Sequence, residues 1–427
     1  MQDKYLHSVR LNKDVCDGCV TCIKYCPTEA IRIRNGKAVI NSLRCIDCGE
    51  CIVSCSKKAK YAYTNTLREL ENYKFNIALP APTLYAQFGL EISLEEILAG
   101  LKKIGFNAVY EVSLAAAHVS LEIEEYVKNA PAEMKPLISS TCPAVIRLIQ
   151  VKFPELIKHI LPILPPAEVA ATEARKKFSK ETGLKPEEIG IWLISPCPAK
   201  VTNVLQPVDV VQTDINGAIG IAEIYGQLHR VLGSIAKEEL KESSVTSYGL
   251  GWGYAGGEIR ATGLANSLIV HNIKDVVDVL EQIDMQKMID VDYIECLACS
   301  GGCIGGPLTV ENRFVAEKNL KLRIRHMRDK EGKKRKDILT NLEEKIYSNS
   351  VERYKTIEPR PITQLDEDII VAMQKLAEIE EILVRLPKKD CGACGSPTCA
   401  TFAEDIVQGL ASEASCVFRS REMKNKG

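Results

Sequence analysis

One stretch of the sequence concentrates the residue types that bind iron. Between Glu295 and Pro307 the sequence ECLACSGGCIGGP holds three cysteines and four glycines within thirteen residues. Thiolates are the ligands of iron–sulfur clusters, and glycine lets the backbone approach an inorganic group closely because it has no Cβ atom. Cys299 and Cys303 are four residues apart, so both sulfurs can face one side of a helical turn. The stretch therefore predicts part of an iron–sulfur site.

Two further cysteines, each followed by proline, lie far upstream. Cys142 occurs in STCPAVI and Cys197 in SPCPAKV. Each follows a short apolar run typical of a buried strand, and ligands are commonly placed in loops that follow the strands of open α/β sheets. With Cys299 and Cys303, these thiols are enough to hold one cubane cluster in a cleft.

Residues 14–56 contain an internal repeat in which C-x2-C-x2-C-x3-C occurs twice at an offset of 29. This is the run of bacterial two-cluster ferredoxins, in which the fourth cysteine of each run ligates the other cluster. The pattern assigns one 4Fe–4S cluster to Cys16, Cys19, Cys22 and Cys55, and a second to Cys45, Cys48, Cys51 and Cys26. A pair of zinc knuckles is the alternative, although zinc sites rarely interleave two sets. Residues 31–33 and 37–40 are predicted strands of an α+β ferredoxin-like domain.

A fourth group of thiols lies near residue 400. It consists of Cys391, Cys394, Cys399 and Cys416, with glycine and proline between the ligands. Four thiols without a nearby histidine suit a third accessory 4Fe–4S cluster, and structural zinc is the alternative. The spacing is similar to small modules of RnfB-type electron-transfer proteins and of corrinoid iron–sulfur proteins.

Composition restricts the remaining possibilities. The 427 residues include 17 cysteines, of which the four groups use all but Cys296, and the net charge is −1. This charge gives no general attraction to nucleic acid or anionic membranes. The N-terminus lacks the apolar segment of a signal peptide, and we expect a cytoplasmic protein without a membrane span. Clustered cysteines in that compartment indicate metal ligands rather than disulfides.

The chain between these groups alternates strands and helices, which predicts an α/β domain. Residues 57–75 are predicted to form a connecting helix. Predicted strands cover 76–79, 108–112, 136–139 and 190–194, and predicted helices follow Ser93 and cover 167–182, 216–238 and 274–288. The glycine-rich stretch 248–257 lacks the lysine of a phosphate-binding loop, so it is either a tight turn or a wall of the cluster site.

Two later segments have distinct character. Residues 312–336 carry eleven Lys and Arg against three acidic residues. Without interleaved aromatic residues this favours a solvated or partner-docking surface over a nucleic-acid-binding tail. Apolar residues from Leu365 to Leu383 recur at steps of three and four, which predicts an amphipathic helix that packs on the core or forms a homodimer.

The three central motifs together resemble the signatures of the FeFe-hydrogenase H-cluster domain, which run approximately TSCCPxW, MPCxxK and MACPGGCxxGGG. Here they read STCPAVI, SPCPAKV and LACSGGCIGGP, in the same order, and the resemblance covers residues of about 76 to 310. It implies an α/β H-cluster domain of two mixed-sheet lobes flanked by helices. The implied organisation is a ferredoxin-like domain at 1–60, the H-cluster domain at 76–310, a charged helical connector at 311–385 and a small, mostly helical iron–sulfur domain at 386–427.

The resemblance also implies roles for single residues. Cys142, Cys197, Cys299 and Cys303 would ligate the cubane. Cys303 would also bridge to a di-iron unit that carries CO, CN⁻ and a dithiolate, and Lys200 would donate a hydrogen bond to a cyanide ligand. The open iron would polarise H2, and the amine of the dithiolate would accept a proton.

Several positions depart from the family pattern. Thr141 replaces the proton-relay cysteine, Asn203 replaces a glutamate, Pro165 replaces a relay serine, and Leu297 replaces a methionine near the di-iron unit. Glu122, Glu124 and Glu125 fall near acidic relay positions, in a register that the sequence leaves open. A relay with missing links moves protons slowly, so the pattern predicts slow turnover.

The sequence therefore predicts an FeFe-hydrogenase of the sensory type from an anaerobe, which converts H2 slowly and passes its redox state to a signalling protein. The C-terminal module resembles one that is assigned to sensing in this family, and di-iron maturation proteins are expected partners. One alternative is a catalytic electron-transfer hydrogenase subunit. The other is a hydrogenase-like protein of cytosolic iron–sulfur assembly that lacks the di-iron unit.

Overall fold

The computed structural model of the chain describes residues 5–332, 335, 337–339, 351–353, 355–360 and 365–420. The predicted domains 1–60, 311–385 and 386–427 each include some positions outside this described part. Within it, no helix is both long enough and apolar enough to cross a membrane.

The N-terminal unit consists of two antiparallel strand pairs and two short helices. The strands are β1 (Val9–Leu11), β2 (Ile31–Arg34), β3 (Lys37–Ile40) and β4 (Lys60–Ala62), and the helices are α1 (Thr21–Lys24) and α2 (Glu50–Val53). Strand β1 pairs with β4, and β2 pairs with β3. The two strands predicted at 31–33 and 37–40 are confirmed.

The connecting helix predicted at residues 57–75 is wrong. Residues 60–62 form β4, because pairing with β1 satisfies their backbone and outweighs local helix propensity. Thr66 and Glu69 then form a capping box, but it opens only a 3₁₀ helix at Leu67–Asn72. The next strand begins at Phe75.

The central unit is built on two sheets. The first has the order β6-β5-β8-β9 and the second has the order β10-β11-β7. The strands are β5 (Phe75–Pro80), β6 (Ala108–Val109), β7 (Leu137–Ile138), β8 (Ile189–Ser195), β9 (Gly217–Gly220), β10 (Ser267–His271) and β11 (Tyr293–Leu297). Mixed sheets were predicted, whereas the strand pairs described in both sheets are parallel, because helical crossovers connect the strands.

Helices cover the sheets and enclose their apolar faces. They are α3 (Leu94–Lys103), α4 (Val112–Asn129), α5 (Pro143–Lys152), α6 (Pro166–Thr182), α7 (Pro198–Leu205), α8 (Ile221–Leu232), α9 (Ser247–Gly251), α10 (Gly257–Thr262) and α11 (Ile273–Asp284). The predicted Ser93–Glu96 capping box is present, with Glu96 N donating to Ser93 Oγ at 3.1 Å. The helices predicted at 167–182 and 274–288 are confirmed to within a few residues.

Two predicted boundaries differ from the structure. The predicted strand 108–112 ends at Val109, because Val112 already opens α4. The helix predicted at 216–238 begins only at Ile221, since Gly217–Gly220 form β9 beside β8. Both errors arise because short buried runs have no periodicity that separates a strand from a helix.

The basic segment forms helix α12 (Arg313–Glu331), which lies on the central unit. Ala316, Leu320 and Ile324 are buried, and Arg323 Nη2 donates to the carbonyls of Gly89 and Ile92 at 2.7 and 2.6 Å. One face of the segment is therefore a structural contact rather than a solvated surface. Residues 333, 334 and 336 of this segment lie outside the described residues.

A segment that we call the strap, residues 351–353 and 355–360, crosses the central unit after α12. Leu164 N donates to Val351 O at 2.7 Å, and Arg360 N donates to Gln150 O at 2.9 Å. Arg360 then reaches the ferredoxin-like unit, where it donates to Ser42 O and stacks on the Tyr5 ring at 3.7 Å from the centroid.

The predicted amphipathic helix is present as α13 (Ile369–Arg385). Its C-terminal half packs through Ile379, Ile382 and Leu383 on the C-terminal module, which also contains α14 (Cys399–Val407). Ile369 and Met373 are exposed. The second half of this helix packs on the C-terminal module rather than on the central core as predicted, and the homodimer stays a prediction.

Candidate metal centres

The four central cysteines lie where strands of both sheets end. Cys142 follows β7 and caps α5, and Cys197 follows β8 and caps α7, each with proline at the first helical position. Cys299 and Cys303 lie in the loop after β11. Proline suits this position because its missing N–H is not needed there, and the positive end of each helix favours a thiolate.

These thiols lie close to one another, with Cys197 buried and Cys142, Cys299 and Cys303 half-buried. Burial, and then the neighbouring thiolates of Cys197, Cys142 and Cys303, raise the pKa of Cys299 well above its ordinary value. Burial followed by the other cysteines likewise raises the pKa of Cys197 to about 11. Thiols with raised pKa values stay protonated at neutral pH unless a metal displaces their protons. A bound metal would therefore keep this group of thiols deprotonated. The donor set, four thiols from three segments, fits one iron–sulfur cubane.

The loop after β11 is locked to the glycine-rich stretch. Ala255 N donates to Gly301 O at 3.0 Å, and Ile304 N donates to Gly253 O at 3.1 Å. Gly302 has a φ of +85°, and a Cβ atom there would lie 2.6 Å from Ala255 N. Residues 252–256 form a turn that leads into α10, as one of the two predictions for the glycine-rich stretch has it, and the same stretch packs on the loop that carries Cys299 and Cys303.

Lys200 lies beside Cys303, with Nζ 3.9 Å from Sγ. Burial alone would lower the pKa of Lys200, but the thiolates of Cys303, Cys197, Cys142 and Cys299 outweigh it and raise that pKa. Lys200 is therefore a fixed cation at this site. The structure thus places Lys200 next to Cys303, and the hydrogen bond to a cyanide ligand stays a prediction.

Beyond Cys303 and Lys200 the site opens on a small cavity of about 50 Å³. Its walls are mostly apolar and include Pro82, Ala116, Pro165 and Trp252. Thr141 lies at the same cavity. The residues thus leave room beside Cys303 for a small group, in a mostly apolar pocket.

A buried network that the sequence analysis missed begins at Thr141. Ser139 Oγ lies 3.1 Å from Thr141 Oγ1 and 2.9 Å from Glu258 Oε1, and Tyr293 OH donates to Glu258. Burial raises the pKa of Glu258, and burial with the nearby Glu258 carboxylate raises the pKa of Glu295 to about 8. The carboxyl directly after the glycine-rich stretch, Glu258 in GGEIR, was the available signal.

The predicted relay positions are scattered. Asn203 Nδ2 donates to Asp209 Oδ1 at 3.2 Å, and Pro165 lines the cavity. Glu122 and Glu125 line a separate cleft, and Glu124 pairs with Lys128 and Arg335. Leu297 is buried and would meet a Cβ atom on Gly302 at 3.2 Å. These residues do not form one chain with Thr141.

The eight cysteines of the ferredoxin-like unit separate into the two predicted sets. Cys22 interacts electrostatically with Cys16, Cys19 and Cys55, and burial is the main reason that its pKa is raised to about 11. Cys48 interacts instead with Cys26, Cys45 and Cys51, and burial again raises its pKa. Each set has a fourth cysteine from the other half of the repeat, as the two-cluster pattern requires.

His7, Cys45 and Asp47 come within 4.8 Å of one another, a spacing that a metal ion could use. Cys45 already belongs to a four-cysteine set, however. Asp47 accepts from His7 Nδ1 at 2.6 Å and from Val9 N at 3.0 Å. We therefore interpret His7 and Asp47 as residues that hold the backbone around the cluster ligands in place, rather than as metal ligands.

The set that contains Cys48 lies next to the central site. Gly49 packs against Pro198 and Pro307, so that a Cβ atom on it would lie 2.9 and 2.4 Å from their rings. Ser8 Oγ donates to Pro198 O at 2.8 Å. Because Pro198 follows Cys197, the two four-cysteine sites share a wall.

One group of four cysteines and the single residue Cys296 remain. Cys391, Cys394, Cys399 and Cys416 line one cavity of the C-terminal module, as their spacing predicts. Cys296 lies in β11, opposite Val270 of β10, and is fully buried. Burial raises the pKa of its thiol, which suits an apolar core residue rather than a ligand.

Comparison with known families agrees with this arrangement. Residues 74–264 and 257–307 match the family described as the iron only hydrogenase large subunit, C-terminal domain. Residues 8–56 match a 4Fe-4S dicluster domain, and residues 386–418 match an Fe-S cluster family. The chain belongs to the iron-only hydrogenase large subunit family and is an FeFe-hydrogenase-like iron–sulfur protein.

Individual relatives differ in function. The periplasmic Fe hydrogenase large subunit of Nitratidesulfovibrio vulgaris is 26% identical over 223 residues, which are 47% of this chain and 52% of that protein. The probable cytosolic Fe-S cluster assembly factor oxy-4 of Caenorhabditis elegans is 21% identical over 353 residues, 69% of this chain and 77% of that protein. The match thus spans only about half of the hydrogenase subunit.

Two other comparisons concern parts of the chain. The corrinoid/iron-sulfur protein large subunit of Moorella thermoacetica is 52% identical over 40 residues. FeFe-hydrogenase HydA1 from Chlamydomonas reinhardtii superposes with a TM-score of 0.53 at 13% identity, over 69% of this chain and 98% of that chain. At this identity the structural match concerns the fold alone.

Proposed function

We propose that this chain holds a di-iron unit on Cys303 and slowly interconverts H2 with two protons and two electrons, as a sensor of H2 or redox state. The observation that carries the proposal is the pairing of Cys303 with Lys200 at 3.9 Å, at the edge of a mostly apolar cavity. A cubane alone would need neither a half-buried cation beside this ligand nor space next to it.

When bound, the di-iron unit supplies the iron that polarises H2 and the amine that accepts its proton. Cys303 is the residue that would hold this unit, because its sulfur faces both Lys200 and the cavity. Lys200 places a positive charge and a hydrogen-bond donor against anionic ligands, where low water content strengthens the contact. Trp252, Pro82 and Ala116 exclude water from the cavity.

Proton transfer at the cavity depends on Thr141. Its hydroxyl contacts Ser139, which contacts the Glu258 carboxyl, so a chain of hydrogen bonds leads away from the cavity. A threonine hydroxyl, unlike a cysteine thiol, does not ionise near neutral pH, which makes this first step slow. Slow turnover with retained binding is the behaviour expected of a sensor.

Electrons would leave through the neighbouring four-cysteine sites, and a redox or signalling protein is the proposed recipient. Maturation proteins would supply the di-iron unit. The relation to oxy-4, which extends over 77% of that protein, favours a second candidate function, a hydrogenase-like iron–sulfur protein with cubanes only. A catalytic electron-transfer hydrogenase subunit is the remaining alternative.

Infrared spectroscopy of anaerobically matured protein tests the proposal. We expect bands of bound CO and CN⁻, and H2 turnover that is slow relative to the affinity for H2. Absence of the bands in protein with a full complement of cubane iron would leave the cubane-only function. Rapid turnover would instead indicate a catalytic subunit.

Replacement of Thr141 by cysteine should accelerate H2 oxidation about tenfold or more, because a thiol at this position can release its proton to the cavity. The rate is measured with an artificial electron acceptor in protein of equal di-iron content. Ser140→Cys is the matched control, since Ser140 Oγ donates to Ile163 O and faces away from this network. An equal rate in Thr141→Cys and the unmodified protein would show that another step limits turnover.

A further inference from the structure

The C-terminal module is docked on the ferredoxin-like unit. Ile33 N of β2 donates to Gly395 O at 2.7 Å, and Arg34 Nη1 donates to the same carbonyl at 3.2 Å. A Cβ atom on Gly395 would lie 2.2 Å from Ile33 O, so the two backbones are in direct contact. Gly395 belongs to the loop between Cys394 and Cys399, so the cysteine-bearing loop itself makes this contact.

A buried carboxylate anchors the contact. Asp405 Oδ2 accepts from Arg32 Nε at 2.7 Å, from Arg34 Nη2 at 2.6 Å and from Ser396 Oγ at 2.6 Å. Asp405 is 4% exposed. A charge buried this deeply is stable only when it is paired and hydrogen-bonded, so the module is fixed in one orientation.

A second ion pair lies near the other cluster site. Arg44 Nη2 donates to both carboxylate oxygens of Glu404, at 2.7 and 2.6 Å. Arg44 precedes Cys45 in the sequence, and both side chains are nearly buried. Two adjacent acidic residues of α14 therefore meet three arginines of the ferredoxin-like unit.

The contact places the C-terminal cysteines against the first ferredoxin set. A Cβ atom on Gly392 would lie 3.1 Å from Ile23 Cδ1 and 3.8 Å from Val20 Cβ. Gly392 follows Cys391, and Ile23 follows Cys22. One pair of touching residues therefore separates the two four-cysteine sites, and Cys391 and Cys19 are exposed.

We propose that the C-terminal four-cysteine site is the outer terminal of the electron path through the N-terminal sites, and that Asp405 is the positioning residue that holds it there. The proposal rests on the proposed function for the source of electrons. Each H2 releases two electrons and two protons at the central site. The electrons leave singly through the terminal, near exposed Cys391, to a one-electron acceptor protein, which is reduced.

The test uses the iron-loaded full-length protein after chemical reduction with dithionite, so that it does not require H2. Electron paramagnetic resonance should show the C-terminal cluster broadened by magnetic coupling to a neighbouring cluster. In Asp405→Asn the coupling should be lost, while the iron content is kept. Hydrogen exchange at the Ile33 amide should accelerate at least about tenfold, because charged hydrogen bonds across the contact are lost.

Glu413→Gln is the matched control, because Glu413 pairs with Arg385 within the C-terminal module at 2.7 Å. It should leave both readouts unchanged. Arg34→Gln weakens the same contact from the ferredoxin-like unit. It replaces Asp405→Asn as the test variant if Asp405→Asn loses iron. A magnetically isolated C-terminal cluster in the unmodified protein, or coupling that persists in both contact variants, would overturn the proposal.

Exposure to H2 separates the two proposals. If H2 reduces no cluster while dithionite reveals coupling, the docked terminal stands and the proposed H2 chemistry fails. If H2 reduces the N-terminal clusters but leaves the C-terminal cluster oxidised at a potential where dithionite reduces it, the terminal is wrong and the H2 chemistry stands.

Discussion

Cys303→Ala should abolish di-iron binding and with it all H2 turnover above background. Cys303 is the cysteine next to both Lys200 and the cavity, so it is the only described thiol placed to join a cubane to a group on the cavity side. We expect the CO and CN⁻ infrared bands to disappear. H2 turnover, measured with an artificial acceptor, should fall by about three orders of magnitude or more, as for loss of an essential catalytic group.

Cys296→Ala is the matched control for this prediction. Cys296 is buried seven residues before Cys303, but it faces an apolar cluster that includes Ile138 and Val270. Its replacement should lower the free energy of unfolding by about 1 kcal/mol through a small cavity, with the infrared bands retained. Bands of full intensity in Cys303→Ala would show that the di-iron unit is held elsewhere.

Lys200→Met should reduce H2 turnover by at least about 100-fold. The substitution keeps the unbranched shape of the side chain but removes its ammonium group, which leaves the half-buried thiolates and the anionic ligands without their cation. Turnover and the positions of the CN⁻ bands are measured together, since a lost hydrogen bond to cyanide should shift those bands.

Lys200→Arg should retain part of the activity, because it preserves the charge with different geometry. Lys128→Met provides the control, as Lys128 is exposed and pairs only with Glu124 among the described contacts. Unshifted CN⁻ bands and normal turnover in Lys200→Met would mean that Lys200 has no contact with the di-iron ligands.

The four groups of candidate metal ligands could be predicted from the sequence because the ligands of iron–sulfur clusters occur at characteristic spacings. The repeat at offset 29 predicted which cysteine of each run crosses to the other set, and the electrostatic neighbours of Cys22 and Cys48 agree with it. The loops after β7 and β8 were predictable for a related reason, since an apolar run followed by Cys-Pro defines both the strand and the helix cap.

The errors arise where distant residues decide the structure. Residues 60–62 form a strand only because β1 lies beside them, and Gly217–Gly220 form a strand only because β8 does. Glu258 was missed because its partners, Ser139 and Tyr293, are 119 and 35 residues away. The docking of Asp405 on Arg32 joins residues 373 apart, and no local pattern predicts it.

The strap has a consequence for how the protein can be divided. Together with Asp405, it returns the later part of the chain to the ferredoxin-like unit at two separate points, Ser42 and β2. The ferredoxin-like unit therefore anchors both the strap and the C-terminal module, in addition to holding two four-cysteine sets. A shortened version without residues 8–56 would lose eight cysteines and the three arginines that pair with Glu404 and Asp405, and the strap would lose its contact with Ser42.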